Sequence, residues 1–85
     1  MKFGLIHYRN ISKGMFVTKL DDHSFTVFES FNVNEFNVGD MVSGQLDKCG
    51  FFNVLNASTQ KSQLVLIQSV GCTESEAMNK ANLVE

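Results

Sequence analysis

Apolar and polar residues alternate in short runs along most of this chain, and Gly, Asn, Asp and Ser punctuate the runs. Phe3 to Tyr8, Met15 to Leu20 and Ser24 to Ser30 are rich in aromatic and β-branched residues, the types that fit a pleated, half-buried surface. Between them lie Asn10-Ile11-Ser12-Lys13-Gly14 and Asp21-Asp22-His23, residues that tolerate tight turns, so the pattern predicts a three-stranded meander. Past an Asn-rich connection, alternation resumes from Met41 to Leu46, with Gly44 expected to mark a bulge or bend. Asp47-Lys48-Cys49-Gly50 predicts a hairpin turn into Phe51 to Asn56. Within Gln63 to Val70, Leu64, Val65, Leu66 and Ile67 are contiguous, which predicts a sixth strand buried on both sides.

The period changes at Thr73. Thr73 followed three residues later by Glu76 is a capping-box pattern, in which each side chain satisfies a backbone N–H that the helix start would orphan. Ala77, Met78, Ala81 and Val84 then recur at helical spacing, while Glu74 and Glu76 sit where the helix dipole favours negative charge. The apolar stripe has two uses: packing on the strands, or docking a protein partner or a second copy. Short strands at regular spacing, one terminal helix and no Pro or Trp predict an all-β or β-rich α+β fold. The expected architecture is a small five- to six-stranded OB-like antiparallel barrel with a short C-terminal helix. Residues 1–85 read as a single domain, with the barrel in 1–56 and an appended strand and helix in 57–85.

Eighty-five residues, 44% of them hydrophobic and only 19% charged, suffice for one core and do not read as disordered. The start, Met1-Lys2-Phe3-Gly4-Leu5-Ile6, gives way at once to His7, Tyr8 and Arg9, so no secretory leader is expected. No apolar run approaches the ~20 residues of a membrane helix, and the expected location is the cytoplasm. Cys49 and Cys72 lack C-x-x-C spacing and read as small packing residues, with a bridge between them left open. The histidines, His7 and His23, have no ligand-spaced neighbours, so neither metal nor cofactor is expected. No nucleophile elbow, phosphate loop or dinucleotide glycine pattern is present, and the chain is not expected to be an enzyme.

Charge is distributed unevenly. Residues 1–20 carry Lys2, Arg9, Lys13 and Lys19 and no acid, a charge of +4, whereas residues 21–47 carry six acids and no base, a charge of −6. The basic first hairpin also bears Tyr8 and Met15, and the next strand adds Phe28 and Phe31. Exposed aromatics stack bases at about 1–3 kcal/mol each while Lys and Arg hold phosphates, so this mixture suits single-stranded nucleic acid, provided that the aromatics face solvent.

At these residues the chain resembles the cold-shock domain, an OB-fold family that binds single-stranded RNA and DNA. Gly4-Leu5-Ile6-His7-Tyr8-Arg9-Asn10 stands where that family has Gly-x-Val-Lys-Trp-Phe-Asn. Lys13-Gly14-Met15-Phe16-Val17-Thr18 is similar to its Lys-Gly-Phe-Gly-Phe-Ile motif, and Val27-Phe28-Glu29-Ser30-Phe31 to its Val-Phe-Val-His-Phe motif. Further on, Val38-Gly39-Asp40-Met41-Val42 and Gly50 to Val54 resemble later family strands, and residues from Ala57 onward have no counterpart. The resemblance implies binding of single-stranded nucleic acid, with Tyr8, Phe28 and Phe31 as base platforms and Lys13 on phosphate. Met15 takes the place of a stacking Phe, and Arg9 and Lys19 are expected on the backbone.

Overall fold

The computed structural model describes residues 1–82. Six strands and one helix follow in chain order: β1 (Lys2–Asn10), β2 (Met15–Leu20), β3 (Phe25–Ser30), β4 (Met41–Gly44), β5 (Gly50–Asn56), β6 (Lys61–Cys72) and α1 (Glu74–Ala81). They close into a barrel in the order β1-β2-β3-β6-β5-β4, and every neighbouring pair is antiparallel. Two meanders, β1-β2-β3 and β4-β5-β6, are joined edge to edge through β1–β4 and β3–β6. This is the small OB-like antiparallel barrel with a short C-terminal helix that the alternation predicts.

The twelve-residue β6 departs from the expected role of an appendage beyond residue 56. It lies between β3 and β5 and pairs with both, so the barrel closes only through residues 61–72, and α1 alone stands outside it. Closure is the physical reason: without β6, the edges of β3 and β5 would present unpaired backbone groups. Nor is β6 buried on both sides. Val65 and Ile67 face the interior, whereas Leu64 on the outer face is 54% exposed.

Side chains alternate across the barrel wall with a period of two. Inside lie Ile6, Phe16, Leu20, Phe28, Val42, Val54, Val65 and Ile67, joined by Phe36 and Leu46 from the connections. Phe16 and Phe28 stack with centroids 5.3 Å apart, and Phe36 meets them edge-on at 5.4 and 5.2 Å. Such geometries add about 0.5–1.5 kcal/mol per pair beyond area burial. Gly4 makes the first crossing feasible, because a Cβ there would lie 2.5 Å from Thr18 Cγ2. Gly14, at φ 67°, ends the 3-10 turn Ile11–Lys13 and donates its N–H to Ile11 O, a left-handed conformation that glycine adopts without strain. The bend expected at Gly44 is instead the end of β4, and the register irregularities fall between Ile6 and Tyr8 and along β3–β6.

A second apolar cluster sits outside the first meander. Met15, Val17, Phe25, Val27 and Cys72 project outward there, and α1 covers them with Ala77 and Ala81 while Tyr8 and Met78 close the margins. The capping box is complete: Thr73 accepts from the Glu76 N–H, and Glu76 accepts from the Thr73 N–H. The predicted helical stripe therefore packs on the barrel at Ala77, Met78 and Ala81. Val84 lies outside the described residues.

Candidate interaction face

The seven residues expected to form a nucleic-acid platform do not share a face. Phe28 pairs with Phe16 and points into the barrel, fully buried. Glu29, next to it, points outward and accepts a hydrogen bond from Gln68 Nε2 at 2.8 Å. The parity of β3 is therefore the reverse of a solvent-facing Phe28. Met15 and Tyr8 do face outward, but Met15 is buried beneath α1 and the Tyr8 hydroxyl donates to Asn82 Oδ1 at 2.6 Å. Arg9 is held across the barrel end by Phe36 O at 3.0 Å and Asn37 Oδ1 at 2.7 Å. Lys13 and Phe31 are exposed at the end of the barrel where β2 starts and β3 finishes, while Lys19 is exposed near the opposite end of β2.

The irregularity after Ile6 explains how α1 is moored. Ile6 pairs with Thr18 and Tyr8 with Val17, so His7 has no partner opposite and both His7 and Tyr8 reach the outer surface. There His7 Nε2 meets Glu74 Oε2 at 2.8 Å, and its ring lies edge-on to Phe25 at 5.2 Å. Asn10 Nδ2 donates to Ala81 O at 3.0 Å and to Asn82 Oδ1 at 3.2 Å. Both ends of α1 are thus tied to β1, and the outward apolar side chains of β2 and β3 are covered by the chain itself.

The outside of the other strands is uncovered. Register places Phe3 beside Ser43, Leu5 beside Met41, Ser43 beside Leu55, Asn53 beside Leu64 and Phe51 beside Leu66. Direct and diagonal cross-strand neighbours lie within reach of large side chains, so these positions form one continuous surface over β1, β4, β5 and β6. Six large apolar side chains are exposed on it: Phe3, Leu5, Met41, Phe51, Leu55 and Leu64. The polar positions between them are Ser43, Asn53 and Ser62, and no charged residue lies among them. At one end, Phe3, Leu5 and Met41 line a shallow groove of about 320 Å³ with Lys19, Asp21 and His23 at its rim. The signal for this face was present in the sequence as apolar residues on the wrong parity, Leu64 and Leu66 flanking the inward Val65 and Ile67.

Other chemistry-bearing residues have local structural partners. Asp22 Oδ1 accepts from Ser24 Oγ at 2.6 Å and from Ser24 N at 3.0 Å, which holds its carboxyl below the usual range. Cys72 is buried and desolvation pushes its thiol up, whereas Cys49 is exposed, and both are free. Buried Asn56 donates to Glu35 O at 2.9 Å and Asp40 Oδ2 at 2.7 Å while accepting from Ser58 N at 2.9 Å. It thereby joins the connection before β4 to the turn after β5.

Among the described residues no three of His, Cys, Asp and Glu converge as metal ligands, and no helix is long and apolar enough to cross a membrane. The chain matches no protein-family model, no curated protein and no solved structure.

Proposed function

We propose that this chain is a non-catalytic protein-interaction module that engages its partner through the apolar outer face of β1, β4, β5 and β6. One observation carries the reading: six large apolar side chains lie exposed on a contiguous surface that bears no charge. Each side chain is about half exposed, so together they present on the order of 600 Å² of apolar surface, at the top of the ~300–600 Å² typical of a monomer's largest patch. Patches of that size are often functional, and leaving one in water forgoes about 25 cal/mol per Å². The free, exposed thiol of Cys49 fits a reducing compartment, and we place the module in the cytoplasm.

Binding of single-stranded nucleic acid, the function implied by the cold-shock resemblance, draws less support. Of the residues assigned to it, only Lys13, Lys19 and Phe31 are exposed, and Lys19 is remote from the other two.

The test is photo-crosslinking in living cells, with a photoreactive phenylalanine analogue at position 64 and, as control, at position 13. A discrete adduct from position 64 that is absent from position 13 is the expected result. No discrete adduct from position 64 would remove the reading.

A further inference from the structure

We infer that the partner on this face is a second copy of the same chain, related by a two-fold axis. The inference rests on the interaction reading above and specifies its occupant.

Area is the first argument. About 600 Å² of apolar side chain, with Ser43, Asn53 and Ser62 filling the gaps, approaches the ~800 Å² per partner of a standard stable interface. The chain exposes 4735 Å² in all, so such an interface would take about one sixth of its surface. Among the described residues this is the face with enough uncharged surface to supply it, because α1 already covers the outward apolar side chains of β2 and β3.

Charge is the second argument. The chain carries −2 at neutral pH, so two copies repel wherever acids meet, yet no acid lies at the outward strand positions of this face, and Asp21 stands only at the rim of its groove. A two-fold contact sets a patch against itself, which makes a neutral apolar patch self-compatible where a charged one would oppose its own image.

Shape is the third. The groove bounded by Phe3, Leu5 and Met41 lies at one end of the face, and Phe51, 59% exposed, stands at the other. A two-fold arrangement that lays the copies head to tail turns each Phe51 toward the groove of the other copy. Because the contact is reciprocal it closes at two copies, and no open surface remains to propagate a filament.

The experiment is sedimentation velocity on the purified full chain from micromolar to sub-millimolar concentration. The expected species has twice the 9.5 kDa chain mass. Leu64→Glu and Phe51→Ser each alter an exposed side chain, and circular dichroism establishes that the barrel persists in them. Each is expected to raise the dimer dissociation constant at least ~10-fold, the scale of a central anchor residue. Ile11→Glu, outside the face, leaves it unchanged. A parent chain that stays monomeric throughout, or a folded Leu64→Glu chain that dimerises as well as the parent, overturns the inference. A monomer that still crosslinks in cells from position 64 to another protein overturns the second-copy assignment and leaves the interaction reading standing. A monomer with no adduct overturns both.

Discussion

At the scale of single residues, two buried polar side chains with opposite satisfaction carry the clearest consequences. Thr18 Oγ1 is fully buried and has no hydrogen-bond partner among the described residues, so its hydroxyl incurs a desolvation cost with no return. Thr18→Val keeps the branched shape, and the expected gain is about 1 kcal/mol, read as a rise of about 4–8 °C in melting temperature. Asn56 is the reverse case, with every polar atom engaged. Asn56→Ala removes the donor to Glu35 O and Asp40 Oδ2 and the acceptor of the Ser58 N–H at once, leaving Asp40 with only the Asn37 N–H, and chemical denaturation is expected to show a loss of about 2–4 kcal/mol. In sequence Asn56 reads as a strand-end residue, and nothing local reveals that it is a buried junction. The acceptors of its amide N–H groups are 16 and 21 residues away, and only closure of the barrel brings them to it.

At the scale of elements, period and capping made the architecture legible, while the facing of each strand was harder to read. Alternation locates β1 to β6 to within a few residues at each end, and Thr73 with Glu76 marks the start of α1. What local pattern leaves open is which parity faces inward, since a shift of one residue turns every side chain to the other side. Phe28 and Glu29 show the consequence: the aromatic took the interior and the acid took the surface, as burial energetics demand. Tyr8 and Met15 are outward as the hairpin pattern suggests, but their exposure is reduced by α1 and the Asn82 that follows it, distant in sequence from both. The mooring of α1 is testable through its cap. Thr73→Ala removes the acceptor of the Glu76 N–H, with an expected cost of about 1 kcal/mol. Amide exchange should locate that loss: protection in 74–81 falls, while β5 and the barrel-facing half of β6 keep theirs.

At the scale of the whole molecule, the barrel has two outer surfaces with different fates. The chain covers one with its own helix, and the other is left apolar and uncharged over four of the six strands. If a second copy covers it, association belongs to the folded state alone, because the face joins β1 to the β4-β5-β6 meander through barrel closure and the unfolded chain has no equivalent. Mass action then couples concentration to stability. For a dimer that dissociates as it unfolds, each tenfold rise in concentration adds about 1.4 kcal/mol per dimer, half of it per chain. With the unfolding entropy of a domain this size, that is a rise of about 3–5 °C in melting temperature per tenfold concentration. Leu64→Glu should abolish the dependence while leaving the melting temperature at the lowest concentration close to that of the parent, since the side chain packs on nothing within the monomer's core clusters. Scanning calorimetry across two decades of concentration separates the outcomes, because a monomer gives one melting temperature throughout and a dimer held by this face gives a slope that the single substitution removes.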